Sequence, residues 1–380
     1  MWNPGSPHSR VHDGMHTVTT KPFTQYPDFP MPSSYPDYPS HRQILQYLQH
    51  YAGHFGLYHS VHFGREVLAV APEGERLVLT TRDVVSGEVA SESFAGVVVA
   101  PGHTSRPRLP RYPGLEYLAR PLLHAGEYTS DDQLRGKRVL VVGAGTSGCE
   151  MAVEAARVAE QAYHSTRTGL RCVPKYVGGR PTDQALDLLQ LLRVPSRVRQ
   201  ELLRAAARLL LAQPPGMRAE ASAERVVNQL LAYYVRHGLV TVKPAIESFA
   251  EGTAYFCDNT SAEIDLVIFA TGYEPVIDFV PDTLLGMQDG QPRLGLNMFS
   301  PAHPGLVVVG LIEPDVGQWA LAHWQAVLTA QYALQRAEQP ALARDMAVGL
   351  RQQQASGLRV EHQAYLRALE AQLHRLECVR

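Results

Sequence analysis

The stretch GAGTSG, Gly143–Gly148, constrains this chain more than any other feature. It is the sole G-x-G-x-x-G in 380 residues. The apolar run before it, ending at Val142, reads as a buried parallel strand, and a helix of about four turns follows from Ser147. A strand, a glycine turn and a helix in that order form a dinucleotide cradle. Gly143 permits the tight turn, Gly145 lets a pyrophosphate approach the backbone, and Gly148 lets the helix pack on the strand. The amides around Thr146 and Ser147 then face an anion.

The alternation of strands and helices around this motif predicts an α/β architecture. Three short signals, EVLAV, RLVLTTR and EVASESF, predict an antiparallel meander with a turn at Ser86-Gly87, followed by a buried strand over Val97–Ala100. Ser40 and Gln43 form a capping-box pattern ahead of Ile44, Leu48, Tyr51 and Phe55. Residues 182–212 read as helical with a break at Pro195. TVKPAIESF, TAYFCD, IDLVIFATGY and GLVVVGLI read as strands, and the chain beyond Gln318 as helical almost to its end.

A net charge of −2, with no block of like charge, gives no footprint for nucleic acid. Five arginines (Arg193, Arg197, Arg199, Arg204, Arg208) decorate one helical region, where a solvated face is the simpler reading than an anionic partner surface. No apolar run approaches a membrane span, and the first residues lack the apolar core of a signal peptide. Cys149, Cys172, Cys257 and Cys378 lie far apart without a C-x-x-C, which disfavours a disulfide framework or zinc site and suits a cytoplasmic protein.

The end of the second strand selects the nucleotide. NAD or FAD calls for a carboxylate there, about 20 residues after the cradle, to hold a ribose hydroxyl. The sequence offers Ser165, Thr166 and Arg167 instead. Hydroxyls and a guanidinium suit a 2′-phosphate, and the expected ligand is NADPH.

An ordered set of segments resembles the flavin-containing monooxygenase family over residues 1 to about 335. The set comprises YPDYPSHRQILQYLQHYAGHFGL, VVVAPGHTSRPRLPRYPG, GKRVLVVGAGTSGCEMA, STRTG, LVIFATGY and HPGLVVVGLIEP. The resemblance implies two Rossmann-like dinucleotide-binding domains. Residues 1–116 and 274–335 would bind FAD, 117–273 would bind NADPH, and 336–380 would be a C-terminal helical extension. It places Thr271 and Gly272 at the NADPH side, and Trp2, Val67, Ala100, Gly102, Gly310 and Gln318 at FAD. Met1-Trp2 matches a point inside the family's Gly-Gly-x-Trp segment, so the FAD domain is expected to lack its first strand–turn–helix, a unit of roughly 30 residues. The 380-residue chain is then expected to hold FAD poorly.

Departures accompany the matches. Val18 stands where the family has an Asn near the flavin. In the pattern F-x-G-x-x-x-H-x-x-x-Y, His124 and Tyr128 are kept, while Leu118 and Arg120 replace Phe and Gly. The first of two Ala-Thr-Gly returns is Ala100-Pro101-Gly102; the second, Ala270–Gly272, is intact.

The implied reaction is NADPH-dependent oxygenation, through a flavin peroxide and O2, of a small soft nucleophile (amine or sulfide) or a carbonyl compound. No side-chain acid or base and no metal cluster with persuasive spacing is visible. Two alternatives stand: an NADPH-binding remnant, and a non-oxygenating pyridine-nucleotide flavoprotein reductase, for which Cys149 and Cys172 make no redox motif. Substrate identity and a homo-oligomeric state are left open.

Overall fold

The computed structural model describes residues 1–192, 194–211, 217, 225–339, 349 and 357–377. The chain divides into two compact units, each made of three segments. The first holds Met1–Thr20, Asp37–Leu45 and Pro107–Tyr273; the second holds Lys21–Pro36, Gln46–Arg106 and Glu274–Arg380.

The first unit is built on five parallel strands: β1 (Leu122–His124), β2 (Arg138–Val142), β3 (Gln161–Ser165), β4 (Val240–Lys243) and β5 (Leu266–Phe269). Their order across the sheet is β4-β3-β2-β5-β1. Strand residues alternate between faces, and here both faces are covered, so β2 after Arg138 and the whole of β5 read as unbroken apolar runs. Val139 and Val141 enter one core with Cys149, Ala152 and Leu231. Leu140 and Val142 enter the other, with Phe249, Phe256 and Ile264. Helix α1 (Thr146–Val158) presents Gly148, Cys149, Ala152 and Ala155 to the first core, small residues that allow close approach.

TVKPAIESF, expected as one strand, is two. β4 ends at Lys243, and Ile246–Ala250 joins a separate antiparallel sheet. Pro244 lies at the break, where it needs no ladder N–H.

In the second unit, the strands Arg65–Glu73, Arg76–Asp83 and Val89–Phe94 form the meander. Asp83 caps its turn by accepting from the Val85 and Ser86 amides, and Gly87 takes a positive φ of 74°. Val97–Val99 pairs in parallel with Leu306–Val308. Helices Trp319–Glu338 and His362–Glu377 share a core with Met298, Phe299 and Ile312. The C-terminal region is not wholly helical: Arg359–Val360 is a short strand paired with Glu313–Pro314, because backbone pairing overrides local preference there. Among the described residues no helix is long and apolar enough to cross a membrane. Arg193 and Cys378 lie outside the described residues. Arg197 and Arg204 are exposed, Arg204 beside Glu201, and Val198 and Leu202 are exposed on the same helix.

Candidate functional site

β2 and β5 are adjacent at the point where strand order reverses, which in an open parallel sheet makes a crevice beyond the strand ends. The glycine turn leaves β2 there, and Ala270–Gly272 leaves β5. Gly143 has φ +135°, and a Cβ on it would stand 2.3 Å from the Ala270 carbonyl oxygen. A Cβ on Gly148 would stand 2.2 Å from the Gly143 carbonyl oxygen. Gly145 differs, because nothing lies within 4 Å of its Cβ position. The first intrahelical bond of α1 runs from the Cys149 amide to the Gly145 carbonyl (3.1 Å), so the first-turn amides at Thr146 and Ser147 have no intrahelical acceptor. An open glycine face beside unclaimed amides fits a pyrophosphate.

At the end of β3, Ser165 is buried and its Oγ donates to the Pro244 carbonyl (2.6 Å). Thr166 is buried, with its amide donating to Lys243 O (3.1 Å). Arg167 is exposed, close enough to Tyr112 to oppose the upward pull of burial on that phenol. No carboxylate occupies 165–167. Of the three residues read as 2′-phosphate partners, Arg167 is the one that faces solvent.

The second return is fastened by His124, which is 3% exposed at the end of β1. Its Nε2 lies 3.0 Å from Gly272 O and its Nδ1 accepts from the Gly126 amide (3.2 Å). A carbonyl only accepts, so the proton sits on Nε2. Burial lowers this pKa and keeps the ring neutral. Tyr273 packs edge-on at 4.7 Å. The Gly272 carbonyl also receives the Arg108 amide (2.9 Å), and Thr271 Oγ1 donates to the Arg108 carbonyl. Tyr128 Oη donates to Asp131 (2.9 Å). Leu118 lies in the core, and Arg120 is 4.0 Å from Asp265.

Arg10, His12, His124, Ser147, Glu150 and Tyr273 line a small cavity of about 60 Å³. Burial lifts the Glu150 carboxyl to about 7, with Lys175 opposing and Glu154 adding. Burial, and then His41, push His12 down to about 4. Pattern reading left the role of His124 open and missed Glu150. It also missed His164, one of several polar residues in the strand Gln161–Ser165.

In the second unit, Gly102 (φ 73°) and Gly310 (φ 80°) follow the two paired strands Val97–Val99 and Leu306–Val308. Gln318 Nε2 donates to the Gly310 carbonyl (2.6 Å), and the Gly310 amide donates to Gln325 Oε1 (2.8 Å). Val67 borders a bulge in the meander, and Ala100 is exposed. Trp2 and Val18 belong to the first unit, Val18 being 41% exposed. Among the described residues no group of three or more His, Cys, Asp or Glu could hold a metal ion.

The family described as flavin-binding monooxygenase-like matches residues 3–354. Flavin-containing monooxygenase 1 of Rattus norvegicus is 31% identical over 80% of this chain and 60% of its own length. Dimethylaniline monooxygenase [N-oxide-forming] 4 of Mus musculus is 33% identical over 83% of this chain and 60% of its own. The chain thus spans about 60% of the length of these curated relatives. Among solved structures, an open form of cyclohexanone monooxygenase superposes with a TM-score of 0.69 at 17% identity, covering 95% of this chain and 89% of that one. A flavin-containing monooxygenase from Stenotrophomonas maltophilia gives 0.63 at 22% identity, covering 85% and 87%. The structural likenesses establish the fold. With a sequence match that runs from residue 3 to residue 354, the chain belongs to the flavin-binding monooxygenase-like family.

Proposed function

We propose that this chain acts as an NADPH- and FAD-dependent monooxygenase on a small soft nucleophile, an amine or sulfide, or on a carbonyl compound, with O2 as co-substrate. One relative is by name an N-oxide-forming monooxygenase, which supports the oxygenation of a soft nucleophile. The observation that carries the nucleotide choice is the open Gly145 face combined with an exposed Arg167 where an acidic ribose ligand would otherwise stand.

Gly143, Gly145, Thr146, Ser147 and Gly148 would hold the pyrophosphate, and Arg167 the 2′-phosphate, with Ser165 and Thr166 shaping the strand end behind it. Thr271 and Gly272 form the opposite wall. In the second unit, Gly102 and Gly310 leave neighbouring parallel strands through left-handed turns, which suits close approach of a flavin. Val67, Ala100 and Gln318 would complete that side. The flavin, when bound, supplies the electron transfer and oxygen activation, and the protein supplies binding, orientation and exclusion of water. The Cys149 and Cys172 thiols are buried with raised pKa values, Cys172 at about 12, which argues against a dithiol reductase. Among the described residues Cys149, Cys172 and Cys257 are free thiols, which suits a cytoplasmic location.

The test compares NADPH with NADH. Losing one charged phosphate contact costs about 1.5–3 kcal/mol, or roughly 10–150-fold in affinity. Arg167→Ala should weaken NADPH by that factor and leave NADH nearly unchanged. Equal weakening of both, or an unmutated chain that prefers NADH, overturns the assignment.

A further inference from the structure

The glycine turn is held from behind by a side chain in the next strand. His164, on β3, is fully buried, and its Nε2 lies 2.7 Å from the Gly143 carbonyl oxygen. Because the carbonyl can only accept, the ring proton sits on Nε2. Nδ1 is buried without a hydrogen-bond partner. An unpartnered buried nitrogen is a cost that an aliphatic residue at this strand position would avoid.

Gly143 is fixed on three sides, through its carbonyl in the Gly143–Ala144 peptide and its amide in the Val142–Gly143 peptide. Its carbonyl meets the imidazole on one side and the bare Cα of Gly148 on another, where a Cβ would come to 2.2 Å. Its amide donates to Ser165 O (3.1 Å). The peptide bond is planar and trans, so a carbonyl and the amide of the following residue point in opposite directions. With the Gly143 carbonyl drawn inward by His164, the Ala144 N–H is aimed outward, away from β3.

We propose that His164 is a positioning residue of the phosphate cradle, holding the Gly143–Ala144 peptide so that its amide faces the pyrophosphate of a bound dinucleotide. The proposal rests on the nucleotide reading above and is tested by binding rather than by turnover. The probes are NADP+ and adenosine 2′-monophosphate, titrated calorimetrically into the 380-residue chain. The second probe carries the 2′-phosphate and lacks the pyrophosphate.

His164→Leu removes the donor at similar volume, and His164→Gln keeps an amide donor. The Leu variant should lose about tenfold in NADP+ affinity, the scale of one hydrogen bond. Its affinity for adenosine 2′-monophosphate should stay within about twofold, and the Gln variant should recover most of the loss for NADP+. Unchanged NADP+ binding in the Leu variant overturns the proposal. So do equal losses for both probes without rescue by Gln, which would make His164 a packing residue. An unmutated chain that binds neither probe overturns the nucleotide reading, and this proposal with it. If the Leu variant fails to fold, nitrogen-15 histidine spectra of the unmutated chain decide the matter. His164 should appear as the Nε2–H tautomer with a resonance that shifts on adding NADP+, and a silent resonance counts against the role.

Discussion

Gly143, Gly145 and Gly148 share a residue type and differ in what forbids a side chain. At Gly143 and Gly148 the obstacle is the protein's own backbone, at 2.3 and 2.2 Å from a Cβ; at Gly145 the space is empty. Alanine should therefore separate folding from binding. Gly143→Ala and Gly148→Ala combine overpacking with, at Gly143, a left-handed backbone, and should lose about 2–4 kcal/mol of stability. Gly145→Ala should keep its denaturation midpoint within about 0.5 kcal/mol of the parent, yet lose NADP+ binding by calorimetry. A destabilised Gly145→Ala, or one that still binds, would refute this account. The positions of these glycines are legible in sequence because close approach leaves only one residue type available. His164 is not legible: a ring-to-carbonyl bond across two strands has no period along the chain, and a strand histidine reads like any other polar interruption.

At the scale of elements, what could be read was what local chemistry dictates. The Ser40–Gln43 box is present, with the Ser40 amide donating to Gln43 Oε1 (2.9 Å) ahead of buried Ile44 and Tyr47. The helix Gln229–Arg236 has a comparable start, where buried Asn228 accepts from the Leu231 amide at 2.9 Å. Removing that acceptor leaves a buried N–H without a partner, so Asn228→Ala should cost about 1–2 kcal/mol. Urea unfolding checks this, and Asn228→Asp should be milder than Ala because it keeps the accepting oxygen. Non-local pairing was harder to read. Arg359–Val360 is a strand because Glu313–Pro314 lies beside it, and two residues carry no pattern of their own. The division of TVKPAIESF at Pro244 is visible once proline is weighed as a missing donor rather than as one residue in an apolar run.

For the whole molecule, the α/β class was legible because buried parallel strands are continuous apolar runs separated by helical periods. The partition into units of three segments each was not, because segment exchange changes no local propensity. Buried titratable groups give the first unit a characteristic acid response. His12 and His164 are held at about 4, mainly by burial, so below 6.5 the unfolded chain binds two protons that the folded one refuses. Glu150, lifted by burial to about 7, acts the other way and takes up one proton in the folded state. For these three groups, between about pH 6.5 and 4.5, the balance is one proton in favour of unfolding. Stability should fall by about 1.4 kcal/mol per pH unit as pH drops, or roughly 3 kcal/mol across the window. His41 and His124 shift in the same direction as His12 and His164, and Glu154 in the same direction as Glu150. Glu150→Gln should roughly double the slope. Urea midpoints measured at several pH values test this, and a flat profile would contradict it. The pairing of Val97–Val99 with Leu306–Val308 has a further consequence, which belongs to synthesis rather than to equilibrium. The second strand leaves the ribosome about 200 residues after the first. At roughly 5–20 residues per second the earlier strand waits on the order of 10–40 s for its partner. Val98 stays 55% exposed even in the finished fold, so throughout that interval the nascent chain carries an unpaired, all-valine edge into a crowded cell. Its yield should depend on what shields that edge during translation more than on the stability of the product.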